Sequence, residues 1–316
     1  GDNMSFKLYA NGVDVTHLAG GLTWSSDTDT LGQSLSFNLP FDKDGVLLPK
    51  PFVNVGDKIS LRYSGEDVFF GIAVDEERNG RSPIKYNCFD LAFYLNENVL
   101  TMQFNDIPAK QAIEDLCEKI GIKCTVANIA VKIKKIYKAQ AVSEILKDIL
   151  TICSEQNGIK YRFEMRGDTL VVFHWKDIKV DVKTEWISNP NRKASLSGMK
   201  NRIEIVSGDE KIVKVLAKTE DGASISKYGL LTQSQTIDDK EISKAKAVAN
   251  NLLKELNRLK EEGGVSLVGD YRARAGRLIA LEEPITGLSG DFLIKSAQHT
   301  YNNGIHLMSL NLEVST

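Results

Sequence analysis

Residues 268–281, VGDYRARAGRLIAL, place Asp270, Arg272 and Arg274 between two glycines, Gly269 and Gly276. A carboxylate and two guanidiniums between flexible corners have the groups needed to hold a phosphate. A phosphate cradle, however, uses consecutive free backbone amides that lead into a helix. Here the charged residues alternate with Tyr271, Ala273 and Ala275, which is the two-residue period of a strand. The segment is therefore predicted to be a strand with one charged face, a candidate subunit contact, and not a phosphate loop.

The four histidines, His17, His174, His299 and His306, are the other side chains that titrate near neutral pH. If Asn303-Gly304 is a two-residue turn, His306 lies opposite Tyr301 and His299 opposite Met308, setting both imidazoles diagonally on one face. Zinc needs three or four ligands, and no cysteine or further histidine is near in sequence, so the pair reads as structural. Cys88, Cys117, Cys124 and Cys153 form no C-x-x-C pair and read as reduced structural residues. There is no G-x-S-x-G elbow, no H-E-x-x-H and no glycine-rich nucleotide loop. A carboxylate pair for glycoside cleavage is defined by proximity in space, and no stretch singles one out. Arg166-Gly167-Asp168 lies between two alternating strands and reads as a hairpin turn, not an adhesion signal. Glu76–Arg81 and Lys200–Glu204 are mixed-charge segments that read as solvated strand ends. No catalytic, cofactor-binding or metal-binding residue is assigned, and no cofactor is expected.

The bulk composition agrees with a folded chain that acts through surfaces. In 316 residues, 42% are hydrophobic, and 40 basic side chains nearly balance 42 acidic ones for a net charge of -2. Two or three cores can form, and no overall field favours nucleic acid, an anionic membrane or an acidic substrate. No segment approaches the roughly 20 apolar residues of a membrane-spanning helix. The start, set aside Gly1–Asn3 before Met4, lacks the charged and apolar regions of a signal peptide, so synthesis in the cytoplasm without general export is expected.

The elements that position these residues fall into three regions. Residues 4–100 read as short strands (LSFNL at 35–39, DKISLRY at 57–63, DVFFGIAV at 67–74) punctuated by glycines such as Gly12, Gly45 and Gly56, with Asn79-Gly80 as a type I′ turn. Residues 101–180 read as an α+β unit. Its first helix has Asp106 as cap and Pro108 in the first turn, and stops at Gly121. Its second runs from Ala141 to Gln156. Residues 181–316 return to strands around a helix from Lys240 to Glu262, capped by Asp238 with Glu241 and ended by Gly263-Gly264. An inserted strand-and-helix subdomain is placed at about 216–264.

The two β regions share a pattern. VGDKISL (55–61) and AGRLIAL (275–281) both read G-x-x-I-x-L, and each is followed by a further glycine, an apolar strand, Asn-Gly and an alternating strand. This implies two related barrels from an internal duplication.

The order barrel, α+β insert, second barrel with a long helix, together with MKNRIEIVSGDEKIV, ISKYGLLTQSQTI, VGDYRARAG and IKSAQHTYNNGIHLMSLNLE, resembles the tail hub (baseplate hub) proteins of contractile-tailed phages and phage-tail-like bacteriocins. The likeness is to the Gram-positive prophage type, related to the late control gene D group. It implies a mainly β, α+β chain with two tail-tube-like barrels, and a trimeric ring that joins a six-fold tail tube to a three-fold spike. Partners would be further copies of itself, tube or distal tail proteins and the spike, with no specific nucleic-acid or membrane binding. The location implied is the virion tail or tail-like particle. The chain is read as carrying no appended lysozyme or peptidase domain. Interface residues are expected on barrel edge strands, including parts of 55–63 and 270–281. A tail-associated cell-wall hydrolase using the 101–180 unit and a carbohydrate- or receptor-binding module remain alternatives. Against the latter, the three tryptophans do not cluster into a sugar platform.

Overall fold

Alternating burial organises the first strands, as their sequence period requires. The computed structural model describes residues 5–42, 53–182, 185–208, 211–237 and 242–314. Gly45 and the capping pair Asp238 and Glu241 lie outside them. β1 (Phe6–Ala10), the exposed two-residue β2 (Val13–Asp14), β3 (Gly20–Asp27), β4 (Gln33–Leu39), β5 (Lys58–Tyr63), β6 (Glu66–Glu77) and β7 (Ile84–Asp90) come first, and all but β2 share one core. Leu35, Phe37 and Leu39 enter it from β4, Tyr86 and Cys88 from β7, and Trp24 from β3. The turn expected at Asn79-Gly80 is instead a longer connection from 78 to 83. Gly80 has φ +57, Asn79 is not among the positive-φ residues, and Pro83 has no N–H with which to begin β7 directly.

The central unit contains α1 (Ala92–Glu97), β8 (Val99–Pro108), α2 (Ala109–Ile120), β9 (Lys123–Val126), β10 (Lys132–Ala141), α3 (Val142–Asn157), β11 (Tyr161–Arg166) and β12 (Thr169–His174). α2 and α3 bury Ile113, Leu116, Cys117, Ile145, Leu146, Ile149 and Cys153 at helical spacing. Gly121 and Gly158 close them in left-handed conformation. Asp106 does not cap α2: it lies inside β8, and Pro108 holds the N-cap position without a side-chain bond. Arg166-Gly167-Asp168 is the expected tight turn between β11 and β12.

The rest of the chain comprises β13 (Lys179–Val180), β14 (Ser188–Ser195), β15 (Arg202–Ser207), β16 (Val215–Glu220), α4 (Gly222–Tyr228), β17 (Thr232–Ile237), α5 (Ile242–Leu256), β18 (Lys260–Val268), β19 (Leu278–Glu283), β20 (Leu288–Asn302) and β21 (Ile305–Val314). α5 buries Ala245, Val248 and Leu252 against β15 and β16. It stops before the predicted end, and Glu261, Glu262, Gly263 and Gly264 lie in β18. Those glycines serve close approach: a Cβ on Gly263 would sit 2.6 Å from the Asn191 carbonyl oxygen and 2.7 Å from Leu288 Cδ2.

Thirteen strands form one sheet in the order β14-β18-β21-β20-β3-β4-β7-β6-β5-β1-β2, with β19 and then β13 branching from β20. The two barrels expected from sequence are not closed among the described residues. β20 outruns β19 and its second part, Ser296–Tyr301, pairs with β3, so the halves merge edge to edge. Within that sheet the halves repeat. The row Thr23, Ser36, Asn87, Asp75 across β3-β4-β7-β6 has its counterpart in Asn191, Gly264, Asn311, Ser296 across β14-β18-β21-β20. Register shifts fall at matching places, between Gly20 and Thr23 and between Ser188 and Asn191, and again between Ala73 and Asp75 and between Ile294 and Ser296. The G-x-x-I-x-L segments are equivalent too: the Gly56 amide donates to the Ala73 carbonyl and the Gly276 amide to the Ile294 carbonyl, with φ +95 and +90.

Candidate functional site

Residues 269–277 form a loop of two turns, which corrects the predicted strand. Ala273 N–H donates to the Asp270 carbonyl and Arg277 N–H to the Arg274 carbonyl, so the charged side chains diverge instead of sharing a face. Arg272 folds back on Asp270, with Nη2 2.7 Å from Oδ2 and Nε 3.0 Å from Oδ1. Burial pushes the Asp270 carboxyl up, but the bonds from Arg272 outweigh it and hold it below its ordinary value.

Arg274 is buried and donates through Nη1 to the Met165 carbonyl at 2.9 Å. It is not a surface contact, as the sequence had implied. Arg277 grips Glu164 with two nitrogens, at 2.7 and 3.1 Å, and Arg166 adds a third bond at 2.8 Å. Burial pushes Glu164 up, and the charge of Arg274 with the bonded Arg277 reverses this, holding its carboxyl at about 2. Asp90 accepts from the amides of Gln33 and Ala92, and burial raises it to about 6 against the pull of Arg274.

The same loop, itself part of the second sheet half, reaches the first. Tyr271 donates its hydroxyl to Glu66 at 2.8 Å, and the Ala275 amide donates to Ser26 Oγ at 2.9 Å. Asn303-Gly304 is a two-residue turn with both φ positive, and Tyr301 faces His306 while His299 faces Met308, as predicted. The diagonal imidazoles meet: His299 Nδ1 is 2.9 Å from His306 Nε2, and His299 Nε2 is 2.8 Å from the Ala273 carbonyl oxygen. Trp24 stacks on His299 at 4.9 Å. Burial lowers both histidines to about 4. Among the described residues no group of three His, Cys, Asp or Glu is placed to hold a metal.

A cavity of about 450 Å³ lies beside the loop, with Ser26, Lys147, Arg162, Glu164, Glu255 and Arg274 on its walls. Its acids and bases come from separate elements: Glu164 is committed to Arg277 and Arg166, and Arg274 to the Met165 carbonyl through Nη1, while Nε of both Arg162 and Arg274 is buried with no hydrogen-bond partner among the described residues. The loop therefore ties the two sheet halves to the central unit, and its chemistry is that of a fastening. Glu164, Met165, Ser26 and Glu66 went unseen in the sequence because each lies more than a hundred residues from its loop partner.

The sequence-based interface expectation also needs revision. β5 is flanked by β1 and β6 and is no edge. β19 is covered by β20 on one side and by β13 only at Leu278 and Ile279 on the other.

YqbQ of Bacillus subtilis (strain 168) is 23% identical over 269 residues, covering 82% of both chains. The fold matches the tail protein of Neisseria meningitidis MC58, with TM-score 0.71, 14% identity and coverage of 98% of this chain and 96% of that one. It matches equally the 43 kDa tail protein of prophage MuSo2 from Shewanella oneidensis, with TM-score 0.70, 14% identity and 97% of each chain. The architecture is thus that of phage tail proteins. Residues 22–313 fit the YQBQ-like family, and the chain belongs to it.

Proposed function

We propose that this chain is a structural, non-enzymatic subunit of a phage tail or tail-like particle, a hub whose trimeric ring joins a six-fold tail tube to a three-fold spike. The carrying observation is the repeat of strand order, register and bulge position in the two sheet halves. Closed cyclic assemblies must match symmetry at each interface, and two equivalent halves in three copies present six similar units around one axis. In this reading residues 4–100 and 181–316 are related barrel-like domains. Residues 101–180 and the insertion at about 216–264 are outer decorations.

Mass measurement in solution with the spike protein, together with negative-stain microscopy, tests the reading. A ring with three copies is expected, and a chain that never leaves the monomer would overturn it. A zymogram on bacterial cell walls is expected to show no clearing.

A further inference from the structure

We infer that β14 of one copy adds to the open edge of β6 in a second copy, so that copies join head to tail by the same strand pairing that joins β3 to β20 within the chain. This rests on the ring reading above and names its interface. The internal junction is the template. β20 pairs with β19 as far as Leu293, and past the bulge at Ile294/Ser296 the vacated side is taken by β3. β6 is built the same way: it pairs with β5 as far as Ile72, has its bulge at Ala73/Asp75, and Asp75–Glu77 then runs on paired with β7 on one side and with no strand on the side that β5 has left, among the described residues. The strand equivalent to β3 is β14, which pairs with β18 on one side and with no strand on the other among the described residues. One half thus holds its socket filled, on β20, and carries the free plug β14 at one end of the sheet, while the other half has spent its plug β3 and keeps its socket on β6 empty. Open edges are where β-strands from another chain add.

Transferring the register Ser296↔Asp27, Ala297↔Ser26, Gln298↔Ser25, His299↔Trp24 fixes the pairs. Asp75 comes opposite Ser195, Glu76 opposite Ala194, Glu77 opposite Lys193 and Arg78 opposite Arg192 of the second copy. The edges complement each other in charge: Asp75, Glu76 and Glu77 are consecutive on one, and Arg192 and Lys193 on the other. The two arginines that meet already carry partners, Arg78 with Glu76 and Arg192 with Glu261. All but one of the eight side chains on the two edges' facing stretches are solvent-facing or half-buried polar groups, whereas the internal junction buries Trp24 and His299. Trp186, 76% exposed two residues before β14, supplies the large aromatic contact that such polar edges lack. Because plug and socket differ, the contact is heterologous, and it closes when the rotation per copy divides a full turn.

Cysteine pairs at directly opposed positions give the test, with Glu77→Cys and Lys193→Cys made as separate full-length variants. Neither alone is expected to form the cross-link, and their mixture is expected to give a disulfide-linked pair. Lys193→Glu should weaken self-association about tenfold, and Glu77→Lys with Lys193→Glu should restore it. If rings form but the mixed cross-link is absent and Lys193→Glu changes nothing, the interface is wrong and the ring reading stands. If no assembly larger than a monomer forms with or without the spike protein, both fall.

Discussion

The hydrogen-bond chain through His299 and His306 has one possible direction when both rings are neutral. The Ala273 carbonyl can only accept, so His299 Nε2 carries the proton and His299 Nδ1 must accept from His306 Nε2. Protonating His299 places an N–H on Nδ1 against the Nε2–H of His306, whereas protonating His306 adds a proton at its Nδ1 and leaves the bond between the rings in place, at the cost of a buried charge. Both folded-state values lie at about 4, well under the ordinary 6.5, so the unfolded chain binds more protons in that interval and stability falls as pH drops from 6.5 to 4. Asp90 acts the other way: raised from 3.8 to about 6, it takes up a proton in the fold first and offsets one histidine between those values. Between pH 6 and 5 a falling pH should therefore lower the denaturation midpoint with about the slope of a single group, and below pH 5 Glu164, held at about 2 against an ordinary 4.5, steepens the fall. His306→Gln, which keeps a donor toward His299, should leave that midpoint nearly flat between pH 6 and 5. Glu164 is the other residue on which much depends. Replacing it by Gln leaves Arg277 and the buried Arg274 without their carboxylate, a loss of about 3 kcal/mol measured by chemical denaturation.

At the scale of elements, equivalent corners predict equivalent costs. Gly56 and Gly276 occupy the same position before β5 and β19, and a Cβ at either meets no atom within 4 Å, so only the positive φ opposes a side chain. Gly56→Ala and Gly276→Ala should each cost about 1–2 kcal/mol, and unequal losses in thermal unfolding would deny the equivalence. Gly71→Ala should cost more than either, because its Cβ would lie 2.0 Å from the Phe89 carbonyl oxygen and force β6 away from β7. The G-x-x-I-x-L repeat was readable because core-facing Ile59, Leu61, Ile279 and Leu281 recur at fixed spacing after a glycine. α2 and α3 were readable from their apolar stripes. The repeat of β3 in β14 was not, because an edge strand reading SNPNRKAS has no buried face to impose a period. Nor was the loop at 269–277, where alternation of charged and small residues imitates a strand while turn hydrogen bonds set the conformation. Gly263-Gly264 looked like a helix stop because sequence does not reveal that β14 must pass close by.

At the scale of the whole molecule, one sheet holds two versions of the same junction that differ in chemistry. Inside the chain, β3 meets β20 through Trp24, His299, Leu22 and Tyr301, where burial makes the contact insensitive to ionic strength. Between copies, the proposed pairing of β6 with β14 sets carboxylates at 75–77 against Arg192 and Lys193 at solvent-exposed positions. Exposed pairs are screened once the Debye length falls to about 3 Å near 1 M salt, while backbone pairing and the Trp186 contact are not. Raising salt should therefore shift the ring toward monomers while the secondary and tertiary structure of each chain persists. Sedimentation velocity at low and high salt reads the first effect, and near-ultraviolet circular dichroism, dominated by the buried Trp24 and Trp175, reads the second. If both signals are lost together at high salt, the interface is as apolar as the internal junction and the charge argument fails. A ring unchanged by salt, with Lys193→Glu still disruptive, would place its affinity in the strand pairing and Trp186, with Lys193 acting through local repulsion alone.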